Sequence, residues 1–278
     1  GTGLHSQLQP LYTYFYRIPD GIGGGYVMHN RNMDFSKSIH YVMGYDRQLL
    51  ENFRMKIEAY YQYLYNIPVT IKPSSFSLVN QGSGFARFFP DSLENKGTGN
   101  NYGMELTLEK FFNKKYFFMI TGSLYDSRYK GSDGIERSTD FNGDYAVNFL
   151  GSREFKLGKN SAFSIGTKAA YAGNKRYGPV DTLASQVKRE IVYIDSLRNS
   201  LQLPDYFRWD IKINFRINAK KVTHEIGLDL VNVLNRKNVL KLAYVPGVPE
   251  GEDPAVYDHI EEVPQLGFLP IFYYKIDF

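Results

Sequence analysis

Five histidines, His5, His29, His40, His224 and His259, are the first residues to weigh for chemistry, because imidazole can ligate a metal or move a proton near neutral pH. None belongs to an HxxxH or similar ligand spacing, so the sequence predicts no metal centre. Asp258-His259 lies in one acidic stretch with Glu252, Asp253, Glu261 and Glu262, which reads as a solvated loop rather than a catalytic pair. Within it, Glu250-Gly-Glu-Asp253 offers carboxylate oxygens suited to Ca²⁺ but fits no EF-hand loop. The glycines of Gly21-Ile-Gly-Gly-Gly25 and Gly97-Thr-Gly99 open no helix after a strand, so they read as flexible loop tips, not phosphate cradles. With no Cys, thiol catalysis, disulfides and Cys-based metal sites are excluded. No cofactor is expected, and no enzyme activity.

Ligand contact is a better prospect. Tyr12, Tyr14, Phe15, Tyr16 and Arg17, followed by Phe85, Arg87, Phe88 and Phe89, combine rings with guanidinium groups in two stretches expected to be loops. Rings stack on apolar or sugar faces, and Arg makes forked bonds to carboxylate or phosphate.

The elements that position these residues are strands. Aromatic residues make up 16% of the 278, alongside 25 Gly, a mixture that points to an all-β protein. A net charge of +4 is too even a balance to argue for nucleic acid as a partner. No run approaches the length of a transmembrane helix. The opening residues GTGLHSQLQP lack a signal-peptide pattern, so a leader has been removed or the chain is an internal part of something larger. A mean hydropathy of −0.37 does not argue against a membrane barrel, which presents only alternate residues to lipid.

Phe207, Trp209, Ile211, Ile213, Phe215 and Ile217 alternate with Arg208, Asp210, Lys212, Asn214 and Arg216, and a period of two puts the two sets on opposite faces of a strand. The same alternation recurs over Ile39–Tyr45, Phe53–Tyr63, Tyr102–Leu108, Tyr116–Leu124, Phe141–Phe155, Phe163–Tyr171, Ile226–Leu230 and the last residues, giving about ten strands. They run about ten residues or longer, the length a tilted membrane-spanning strand needs, against about 5–6 in soluble sheets. Short turns near Asp46–Asn52, Phe112–Lys115, Leu157–Ser161 and Asn218–Val222 alternate with long loops near Tyr12–Asp34, Asn66–Asn100, Lys130–Asp140, Gly173–Pro204 and Asn235–Val263. Short turns at one rim and long loops at the other are the wiring of an antiparallel transmembrane β-barrel. Its apolar face would meet outer-membrane lipid and its polar face the lumen, with Tyr102, Tyr116, Tyr145, Tyr171 and Trp209 in the interfacial girdles.

The closing strand, with Phe272, Tyr274, Ile276 and the terminal Phe278 on one face, resembles the C-terminal signal read by the barrel assembly machinery. Asp229-Leu-Val-Asn-Val-Leu-Asn-Arg-Lys-Asn238 resembles the Asn-rich late-strand motif of TonB-dependent outer-membrane receptors. Gly3–Pro10 and Tyr60–Val69 also look like barrel segments of that family, in the branch with an N-terminal carboxypeptidase-regulatory-like domain. The resemblance covers essentially residues 1–278 and implies the C-terminal part of a 22-stranded barrel, with the plug and the first half of the barrel upstream. It further implies nutrient uptake across the cell outer membrane of a Gram-negative cell, coupled through the plug to the TonB complex. The ligand could be a siderophore or other small molecule, an oligosaccharide or a peptide. Two rivals remain: a self-contained ten-stranded barrel protease of the omptin kind, which Asp258-His259 faintly resembles, and a passive porin. Closure discriminates the first, since such an enzyme must pair its first and last strands.

Overall fold

The computed structural model describes residues 1–20, 24–82, 91–248, 251, 253, 257 and 259–278. Ten antiparallel strands form its main sheet: β1 (Thr2–Gln7), β2 (Ser36–Leu50), β3 (Phe53–Thr70), β4 (Leu93–Asn113), β5 (Tyr116–Lys130), β6 (Tyr145–Leu157), β7 (Ser161–Ala172), β8 (Tyr206–Asn218), β9 (Thr223–Val231) and β10 (Leu269–Asp277). Each pairs only with its neighbours in sequence, apart from a short strand, Glu136–Ser138, added to the end of β5. β1 and β10 are the two edges and do not pair with each other. Among the described residues the ten strands therefore form an open wall.

The register sorts the side chains as the alternation predicts. Ile165 stands opposite Ile213, and Ile213 opposite Leu228, while Lys168 faces Asp210 and Lys212 faces Asp229 on the other side. The apolar side of β3 reads Phe53, Met55, Ile57, Ala59, Tyr61, Tyr63 and Tyr65, without a charge. Charged residues on this side stay near the rims, as Arg47 and Lys110 do beside the short turns. Tyr41, Tyr61 and Tyr102 make one row across three strands. The Tyr145 and Tyr171 rings lie 5.3 Å apart. These five tyrosines lie toward the long loops, and Tyr116 opens β5 at the opposite rim. The polar side is cross-linked by ion pairs, among them Arg216–Glu154 at 2.8 Å and Lys212–Asp229 at 3.4 Å.

Short turns over residues 51–52, 114–115, 158–160 and 219–222 join alternate strands at one rim. Lys114 and Lys115 take φ of 52° and 70°, the left-handed pair that a two-residue hairpin turn requires to match strand twist. The long loops span residues 8–35, 71–92, 131–144, 173–205 and 232–268 at the other rim.

Three expectations need correction. The turn near Asp46–Asn52 shrinks to Glu51 and Asn52, because Asp46 through Leu50 stay in the ladder and Asp46 pairs with Arg54 across it. Phe141 is not in a strand; β6 begins at Tyr145, after the Asn142 turn. Gly97 and Gly99 are not loop tips but part of β4. Asn66, at φ 55°, bulges out of β3 and pushes Ile67 towards β4, where a Cβ on Gly97 would lie 2.8 Å from the Ile67 carbonyl oxygen.

Candidate ligand face at the long-loop rim

Three long loops are joined above the sheet by buried polar groups. Tyr129, at the loop end of β5, is 1% exposed, and its hydroxyl donates to the Ser75 carbonyl at 2.9 Å. The Asp195 carboxylate accepts from the Ser75 amide at 3.0 Å and its hydroxyl at 2.6 Å, tying loop 173–205 to loop 71–92. The Asp140 amide donates to the Asn80 side chain at 2.9 Å. Its carboxylate accepts from Asn199 Nδ2 at 2.6 Å and Arg198 Nη2 at 3.2 Å. Asn142, wholly buried, accepts from the Ser127 amide at 3.1 Å and donates to Asp126 at 2.7 Å, so loop 131–144 is also held to β5. A hydrogen-bonded polar interior of this kind favours one arrangement of the loops, since a shift leaves further buried donors unpaired.

Ionisable groups in the loops are perturbed by these surroundings. Arg137 forks onto Asp133 at 2.7 and 2.9 Å, and that guanidinium holds the Asp133 carboxyl below the usual carboxylate range. Burial pushes the Tyr193 phenol up, against the opposing effect of Arg198, whose guanidinium carbon lies 5.1 Å from the ring centroid.

The first candidate stretch sits on loop 8–35. Tyr12 and Tyr14 belong to a single helical turn, Leu11–Tyr14, that follows Pro10. The Tyr12 hydroxyl accepts from Gln81 Nε2 at 3.4 Å and that of Tyr14 from the Gln9 amide at 3.3 Å, so both rings also hold the loop together. Phe15 and Arg17 are exposed and Tyr16 is half-buried. Phe85, Arg87, Phe88 and Phe89 lie outside the described residues. The loop is anchored by buried Asn30, which donates to the Asp91 carbonyl at 2.7 Å and accepts from the Leu93 amide at 2.8 Å.

Beneath these loops, against the polar side of β1–β3, is a cavity of about 600 Å³ lined by His5, Gln9, Lys37, Gln62, Leu64 and Gln81 among others. The His5 and His40 rings stand 4.5 Å apart at its edge. The sequence reading passed over this site, although the register that faces Ser38, His40 and Gln62 inward is implicit in the alternation of β2 and β3.

His259 serves a structural part. Its Nδ1 donates to the Val245 carbonyl at 2.9 Å, and its ring lies 5.5 Å from Tyr244 and 4.9 Å from Tyr257. Glu250, Glu252 and Asp258 lie outside the described residues. Among the described residues no group of three His, Asp or Glu is placed to hold a metal. The Asn-rich motif is built into the wall. Asn232, 2% exposed and at φ 52°, donates to the Arg236 carbonyl at 2.9 Å and accepts from the Arg236 amide at 3.1 Å, closing the turn after β9. Asn238 mimics a strand residue, exchanging bonds of 3.0 and 2.9 Å with the Phe207 backbone. At the far rim, Phe272, Tyr274 and Ile276 share the apolar side of β10, and Phe278 follows it, 99% exposed. Tyr273 points to the polar side, where its hydroxyl donates to Asn214 at 2.6 Å across Gly227, whose lack of a Cβ makes room for the ring.

Long strands, an apolar side whose charges stay near the rims, and long loops gathered at one rim make up the wall of an antiparallel β-barrel. Solved structures share this fold. The ferric yersiniabactin uptake receptor FyuA from Yersinia pestis is similar at TM-score 0.57 and 12% identity, over 100% of this chain and 34% of that one. The ferric-catecholate import receptor Fiu from E. coli K12 gives TM-score 0.54 and 14% identity, over 86% and 29%. The FrpB iron transporter from Neisseria meningitidis gives 0.54 and 14%, over 89% and 34%. The chain thus spans about a third of the length of these proteins. No protein-family profile and no curated protein matches it by sequence.

Proposed function

We propose that the chain is the C-terminal part of the barrel of a TonB-dependent outer-membrane receptor, supplying wall, lumen lining and part of the ligand-binding loop face. The observation that carries this reading is the open ten-stranded meander with its long loops gathered at one rim. An open wall needs further strands to satisfy its edges in lipid, because unpaired backbone groups there cost several kcal/mol each. The short-turn rim then faces the periplasm. The similar structures are receptors and transporters, two of them for ferric chelates by name, which supports uptake rather than catalysis.

In this reading, Phe15, Tyr16 and Arg17 contact the ligand from loop 8–35 and the Phe85–Phe89 stretch completes the face, while Tyr12 and Tyr14 keep the loop in shape. A plug contributed by other parts of the receptor receives the pull of TonB. The barrel assembly machinery reads the strand that ends in Phe278. The experiment is uptake by intact cells with and without a proton uncoupler. Accumulation should stop while surface binding persists. Uncoupler-resistant accumulation would instead identify a passive pore.

A further inference from the structure

The apolar side of the sheet is not uniform. Gly151 on β6 sits between Phe118 of β5 and Thr167 of β7, and its missing side chain lets the Phe149 ring lie down over it, with Cζ 3.2 Å from where a Cβ would stand, beside a groove of about 710 Å³. Phe118, Phe149, Ile165 and Trp209 line it, and the Trp209 indole is fixed by donating to Thr167 Oγ1 at 2.6 Å. At its short-turn end stand two cations, Lys114 and Arg153. Arg153 lies directly across from Tyr116, the first residue of β5, and its guanidinium carbon is 5.1 Å from the Phe155 ring centroid. Among the described residues neither cation has an ion pair, since nearby Glu154 points to the opposite side and is taken by Arg216.

A charge facing lipid is costly at mid-height and favourable only where headgroups can meet it. Arginine on this side of β6, beside the first residue of β5, is therefore at headgroup level. The rim as a whole is biased the same way: its four short turns carry Lys114, Lys115, Lys159, Lys220 and Lys221 against Glu51 alone.

We propose that this groove is a binding site for an anionic phospholipid of the inner leaflet. One acyl chain lies along the groove between the Phe149 and Trp209 rings. The phosphate is held by Arg153, in forked geometry, and by Lys114. The site rests on the membrane placement of the sheet and on the short-turn rim facing the periplasm, and it is independent of what the receptor transports.

The test uses the intact receptor, purified in mild detergent and examined by native mass spectrometry after incubation with phosphatidylglycerol, phosphatidylcholine or lipopolysaccharide. Wild type should retain phosphatidylglycerol in preference to phosphatidylcholine. The Arg153→Gln/Lys114→Gln double variant should lose about tenfold in that preference, since juxtamembrane cations act on anionic lipid at close range. Lys220→Gln/Lys221→Gln, which removes the same charge from the same rim away from the groove, should keep it. Gly151→Leu, which pushes the Phe149 ring up into the groove, should reduce retention of both phospholipids alike. Equal preference in the Arg153/Lys114 variant and wild type, an equal loss in the Lys220/Lys221 variant, or lipopolysaccharide outcompeting phosphatidylglycerol at the groove would overturn the proposal.

Discussion

Replacing Asp140 by Ala tests whether the loop face is a single preorganised unit. Asp140 is 5% exposed and joins three loops, through its amide to Asn80 and through its carboxylate to Asn199 and Arg198. The substitution keeps the amide bond and removes the carboxylate. Asn199, 3% exposed, loses one of two partners, since it still donates to the Ser138 carbonyl at 2.8 Å. A buried bond to a charged acceptor contributes about 1.5–3 kcal/mol. The Arg198 contact is longer and its side chain is 31% exposed, so solvent screening leaves it about 0.5–1 kcal/mol. Together these give about 2–4 kcal/mol of docking between loops 131–144 and 173–205, or roughly 30- to 1,000-fold in the closed-to-open ratio. No strand hydrogen bond is touched, so assembly should be unchanged. Hydrogen exchange of the Asn199 and Ser200 amides in the assembled receptor should accelerate by that factor, with ligand affinity falling while surface abundance holds. Asp140→Asn, which keeps an acceptor for Asn199 but drops the charge, should fall between. Unchanged exchange at Ser200, or a surface level that drops in step with affinity, would show that the loops are not held by this hub.

Three other outcomes follow from the same structure. Ile213→Arg places a charge on the lipid side at a cost of about 2–4 kcal/mol and should sharply lower the heat-modifiable, assembled form on gels, whereas Lys212→Ala on the polar side should leave it near wild type. Asp133, its folded value depressed by Arg137, stabilises loop 131–144 at neutral pH. That contribution should fade only as pH falls below about 4 and on through the depressed folded value, read as rising protease sensitivity of the loop that Arg137→Gln already shows at pH 7. Deleting Phe278, which packs against little at its exposed rim, should reduce surface-exposed receptor by protease shaving far more than ligand binding per assembled molecule.

The wall was legible because its signal is local. Phe207 through Ile217 announce a strand without any neighbour, and register then follows from matching faces, as Lys212 against Asp229 shows. Strand ends were harder. Leu50 and Thr70 carry on past the point where their alternation weakens because ladder bonds, not apolar side chains, hold them there. The loop hub was invisible, since Ser75, Asp140 and Asn199 are ordinary loop residues in sequence. Only contacts across roughly 60 or more positions make them interior. Gly97 and Gly99 mislead in the same way. A glycine that admits a bulge looks, in sequence, like one that loosens a loop.

The strict neighbour-to-neighbour pairing of the ten strands also governs how such a wall can be built. Each strand's partner is already present when it arrives, so the sheet can grow by adding one hairpin at a time. Within a hairpin the closing segment is tiny, as at residues 158–160, whereas between hairpins it reaches the length of residues 232–268. Chain-closure entropy grows only with the logarithm of length, so this roughly tenfold difference costs about 2 kcal/mol more. Long loops can thus vary freely in length and sequence with little effect on the order of assembly.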